Sequence, residues 1–239
     1  MNKLLFIIPL FFSFIVTAQK NECLIRGKIN KRINYSQVYM PFGKDSYDTA
    51  LIKNGEFEFN KLVEKEEVIR IYSDSIASFQ GGVLTMKKTE AIFYLAPGKI
   101  SLIFNEPNEE NQKYAFLIDG PMKTMEFEKK LRRPVSYFNN IVITLKEKIS
   151  VAKKANEDTI ILKTQLTENI RKCFSVPKKY ISENPESDLS IEALKMMGNG
   201  DPTRENQVDE LKNLFASLSD EVKNSAIGKL YAEKLNKMK

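Results

Sequence analysis

The sequence predicts an α+β chain, with an N-terminal antiparallel β-sandwich over residues 19–120 and a helical region over 121–239, behind a leader at 1–18. Two observations carry this division. Between Cys23 and Gly120 the apolar residues come in short runs closed by turn signals, whereas from Met122 onward they recur every three or four positions. Charge divides at the same place: residues 19–120 hold 14 basic and 14 acidic side chains, and residues 121–239 hold 22 against 17.

The leader has a basic start at Lys3, an uncharged and mostly apolar run over residues 4–16, and small side chains at Val16 and Ala18 before Gln19. That is the layout of a cleaved export signal, and the run is shorter than the roughly 20 residues a spanning helix needs. Cys23 follows Lys20-Asn21-Glu22, not the small and aliphatic residues that precede a lipid-bearing cysteine. The expectation is a periplasmic or secreted chain, starting near Gln19, folding in an oxidising compartment and keeping no stable membrane span after cleavage.

Strands are predicted at residues 24–29, 37–40, 68–72 and 114–118, with two hairpins among them. In the first hairpin Asn54-Gly55 supplies the two positive-φ residues of a type I′ turn, and Phe57 and Phe59 alternate with Glu56 and Glu58. In the second, Pro97-Gly98 fits the centre of a type II turn between residues 91–95 and 100–104. About eight short strands of this kind make a small sandwich.

In the second half Leu131, Val135, Phe138, Val142, Leu145, Ile149 and Ala152 draw one apolar stripe, which Pro134 either kinks or restarts. Asp158 is placed to cap a second helix with the stripe Leu162, Leu166, Ile170 and Cys173, running past Pro177 to Tyr180 and Ile181 and stopping near Asn184-Pro185. Asp188 is expected to cap residues 189–197, closed by Gly198-Asn199-Gly200, with Asp201-Pro202 opening the next helix. Its stripe is Val208, Leu211, Leu214, Phe215 and Leu218. Ser219 is expected to cap one last helix carrying Val222, Ala226, Leu230 and Leu235.

Composition closes off several chemistries. The 239 residues contain no His and no Trp, so Ser-His-Asp, Cys-His and His-ligated metal machinery are excluded. Gly81-Gly82 and Pro97-Gly98-Lys99 lack the spacing of a phosphate loop and read as turns. Glu56 and Glu58 lie opposite the phenylalanines and face water, which does not suit a glycosidase pair. Glu64, Glu66 and Glu67 read as a solvated loop. Lys129-Lys130, Arg132-Arg133, Lys146, Lys148 and Lys153-Lys154 alternate with Glu126, Glu128, Glu147 and Glu157, so the formal +6 reads as solvated helix faces and no nucleic-acid partner is assigned. No catalytic residue, cofactor or metal ligand is assigned. Cys23 and Cys173 are open to two readings, a disulfide formed after export or buried free thiols.

Ile25-Arg26-Gly27-Lys28-Ile29, Asp48-Thr49-Ala50 leading to Phe57-Glu58-Phe59, and Phe93-Tyr94-Leu95-Ala96-Pro97-Gly98-Lys99-Ile100 line up with a known pattern. So do Asn184-Pro185-Glu186-Ser187, Leu214-Phe215 with Leu218-Ser219, and Val222 with Ser225 and Gly228-Lys229-Leu230-Tyr231. In their order and spacing they resemble the domain-of-unknown-function family that forms the N-terminal module of exported thioredoxin-like thiol-disulfide oxidoreductases of Gram-negative bacteria. Asn60-Lys61 and Pro121-Met122 depart from that pattern. The resemblance implies a module that accompanies a redox domain, but the Trp-Cys-x-x-Cys motif of such a domain is not among these residues.

The expected function is therefore that of a non-catalytic exported accessory or binding module, with an envelope protein or a thioredoxin-like protein as its partner. A thiol-disulfide oxidoreductase component is the alternative. A carrier holding a small ligand between the sheets is a third reading, and it requires a deep apolar cavity there.

Overall fold

A computed structural model of the chain describes residues 21–29, 36–42, 46–73, 76–80, 83–87, 90–104, 116–198 and 207–238. The export signal and the Gly81-Gly82 and Asp201-Pro202 turns lie outside the described residues. The fold is α+β, with two mostly antiparallel four-stranded sheets followed by helices.

The first sheet has β1 (Glu22–Ile29), β4 (Glu56–Leu62), β9 (Gly98–Phe104) and β10 (Phe116–Asp119), in the order β10-β9-β1-β4. The second has β2 (Gln37–Phe42), β3 (Ser46–Leu51), β5 (Glu67–Ser73) and β8 (Glu90–Leu95), in the order β3-β2-β5-β8. A separate hairpin, β6 (Ile76–Gln80) with β7 (Val83–Lys87), was not legible as strands in the sequence. The expected antiparallel pairing fails at one place: β1 and β9 are parallel. Parallel neighbours need a long crossover, and here the chain travels through the whole second sheet before it returns. The Asn54-Gly55 turn forms, with Asn54 at φ 54° and Gly55 at φ 80°, and Gly98 takes φ 127°. Neither expected hairpin follows, because β3 and β4, like β8 and β9, belong to different sheets, so both turns carry the chain from one layer to the other.

Alternation along the strands builds the sandwich core. Ile25, Phe57 and Ile100 of the first sheet meet Val38, Ile71 and Phe93 of the second in one buried cluster. Gly27 belongs to the inward row of β1 and sits opposite Phe57. A Cβ there would lie 1.9 Å from the Phe57 ring, so the missing side chain is what lets the ring lie across the strand.

A second core forms on the far face of β8. Tyr94 and Ala96 join Phe127, Leu131, Tyr180, Ile181 and the apolar sides of the later helices. The chain enters this region through α1 (Met122–Glu126), a π-helical segment at Phe127–Arg132, and α2 (Arg133–Lys154). Pro134 thus falls in the first turn of α2, directly after the π-segment, where the wider turn makes room for its ring. Glu128, expected on a solvated face, is fully buried. It accepts a bond from Arg132 Nη2 at 2.6 Å and lies 3.3 Å from Arg133 Nε. The Arg132 guanidinium in turn stacks 4.4 Å from the centre of the Phe116 ring in β10.

α2 and α3 (Ile160–Glu183) form an antiparallel hairpin whose predicted stripe, Val142, Leu145, Ile149 and Ala152, is buried. Asp158 Oδ1 accepts from the Ile160 N–H at 2.8 Å, as its position predicts. The start of α4 (Leu189–Gly198) differs from expectation: Ser187 Oγ meets the Leu189 N–H, while Asp188 turns its carboxylate toward Lys123. After α5 (Gln207–Ala216), the last predicted helix is two, α6 (Asp220–Asn224) and α7 (Ala226–Lys237). Ser219 caps α6 as predicted, and Ser225 caps α7 through the Gly228 N–H. The break shifts the buried face to Ile227, Gly228, Tyr231 and Leu235 and leaves Leu230 exposed.

Two outcomes test this packing. A Cβ at Gly228 would lie 2.1 Å from the Val222 carbonyl oxygen. Gly228→Ala should therefore destabilise the chain by roughly 1–3 kcal/mol in urea titration, although alanine ordinarily favours a helix over glycine. Glu128→Gln leaves the largely buried Arg132 without its anion and should cost about 3 kcal/mol, whereas the exposed Lys130→Ala should cost under about 0.5 kcal/mol.

Candidate binding cleft

The inward rows of the sandwich leave the opposite row of each strand to solvent, and on the first sheet those outward rows form a cleft of about 780 Å³. Register sets its composition. Arg26 of β1 lies opposite Glu58 of β4 and Ser101 of β9, and two residues along, Lys28 lies opposite Glu56 and Ile103. The Lys53–Glu56 bridge across the Asn54-Gly55 turn extends the second row, which reads Ile103, Lys28, Glu56, Lys53 across the sheet. Thr49 and Leu51 of β3 also line the cleft.

Its charges are arranged as cross-strand pairs. Arg26 Nε donates to Glu58 Oε2 at 2.8 Å. Lys28, Lys53 and Glu56 make no ion pair among the described residues, and all three are exposed. An exposed pair such as Arg26–Glu58 contributes only about 0–1 kcal/mol to folding, so these groups keep most of their capacity to meet a ligand. Leu51 and Ile103 add exposed aliphatic surface. Among the described lining residues no aromatic ring is exposed to stack on a sugar, because Phe57 points inward. Glu56 and Glu58 face water as predicted, and Glu58 is engaged by Arg26.

The space between the sheets is filled by Phe57, Phe59, Phe93 and Phe104 with their aliphatic neighbours, which leaves little room for a carried ligand among the described residues. Both cysteines are free. Cys23 points into the sandwich from β1, and Cys173 is half-buried on α3, which packs on α2, α4, α5 and the π-segment. The two thiols are unbridged in this structure and belong to different layers, Cys23 to the sandwich and Cys173 to the helices. Burial pushes the Cys23 thiol up to about 11 and raises that of Cys173 as well.

A second polar cluster joins the two halves of the chain. Lys123 Nζ lies 2.6 Å from Glu66 Oε2 and 3.8 Å from Asp188 Oδ2, so Glu66 belongs to a joint and not to the solvated loop predicted for it. Thr124 Oγ1 donates to the Tyr94 carbonyl at 2.8 Å, and the Tyr180 hydroxyl donates to Glu126 Oε1 at 3.0 Å. Burial, with nearby carboxylates adding to it, raises Tyr94 and pushes Tyr180 up to about 12. Both hydroxyls therefore remain donors, Tyr94 toward Glu66 within the sandwich half and Tyr180 toward Glu126 within the helical half, while Lys123 and Thr124 make the bonds that cross between them.

Among the described residues there is no group of three or more His, Cys, Asp or Glu side chains placed to hold a metal ion, and no helix long and apolar enough to cross a membrane. Of the cleft residues only Glu56 and Glu58 stood out in the sequence, as a water-facing pair, and the rest could not be assembled because which strands are neighbours is a long-range property. Comparison of the chain with protein-family models, with curated proteins and with solved structures gives no match in any of the three.

The thiols give a direct test. Cys23 should resist iodoacetamide at pH 8 in the native protein and react only on unfolding, while Cys173 should react slowly; rapid native labelling of Cys23 would contradict a closed sandwich. Because the folded Cys23 keeps a proton that the unfolded chain releases from about pH 9, stability should fall between about pH 9 and 11. Cys23→Ala should flatten that part of a stability–pH profile.

Proposed function

We propose that the chain is an exported, non-catalytic binding module that holds an extended segment of a partner envelope protein against the outward face of β9, β1 and β4. The observation that carries this reading is the cleft itself, with its exposed Lys28–Glu56–Lys53 row and the Leu51 and Ile103 side chains beside it. Mixed charge with aliphatic surface suits a polypeptide, which can present both, better than a single-sign polyanion. Export rests on the leader at 1–18, and the role as an accessory module rests on the resemblance set out above. A thioredoxin-like protein is an alternative partner.

The reading as a thiol-disulfide oxidoreductase component has less support. Attack on a disulfide needs a thiolate, and both cysteines are held away from that form by burial.

The test is photo-cross-linking of the mature chain to envelope proteins. A partner should be recovered with wild type and with Lys172→Glu, a surface change on α3, and lost with Lys28→Glu combined with Ile103→Asp. Equal recovery with all three would refute the cleft as the binding face. Reduction or isomerisation of a disulfide substrate by the wild-type chain, well above the rate of free thiol, would refute the non-catalytic reading.

A further inference from the structure

We draw no further inference here: the strongest candidate, the exposed apolar side chains of the α2–α3 hairpin arm (Ile143, Val151, Ile160 and Ile161), is an unpartnered surface, and nothing in the structure shows what covers it.

Discussion

Strand β8 must satisfy two cores at once, and most of the architecture follows from that. Successive side chains on a strand point to opposite faces, so Ala91, Phe93 and Leu95 enter the sandwich while Tyr94 faces the helices. A strand apolar on both faces needs cover on both, and the helical region supplies the second layer. It also meets the polar needs of that strand. Thr124 satisfies the Tyr94 carbonyl, and the Tyr94 hydroxyl lies 3.5 Å from Glu66 Oε2, close to Lys123. The sandwich and the helices are therefore two layers sharing one strand, and their boundary near Gly120 is a change of secondary structure more than a gap between independent units.

The same arrangement explains which face stays open. Helices occupy the outward side of the second sheet at Val68 and Tyr94, whereas the outward rows of β1, β4 and β9 carry charged, hydroxyl and isolated aliphatic side chains. The open cleft is placed by exclusion as much as by its own chemistry. Cys23, Tyr94, Tyr180 and Tyr231 are withdrawn into packing, and the groups left facing water in the cleft offer charge and shape.

What the sequence reveals is what local rules control. Asn54-Gly55 and Pro97-Gly98 announce their turns because few residues tolerate positive φ, and the stripe from Val142 to Ala152 reads directly as a helix face. Glu128 misleads because a charged residue among lysines and arginines reads as solvated; only the π-turn and the approach of Phe116 bring Arg132 over it and bury the pair. The division between α6 and α7 was within reach, since Ser225 three residues before Gly228 is a capping signal, but the spacing of Val222 and Ala226 suggested one continuous helix. The parallel pairing of β1 with β9 has no local signature, and the cleft rows depend on it.

That pairing also bears on how the chain acquires its structure. β1 is the first strand in order, yet it lies inside its sheet, with Cys23 opposite Gly98 and Ile29 opposite Phe104. The antiparallel partner β4 is available earlier, but the other edge of β1 stays unsatisfied until β9 arrives. Contacts so far apart along the chain slow folding, and an exposed strand edge in the interval invites mispairing. A chain threaded outward from its N-terminus would thus hold its first strand half-paired through much of its passage. Early folding there would rest on the β1–β4 pair, and completion of the sheet would set the slow phase.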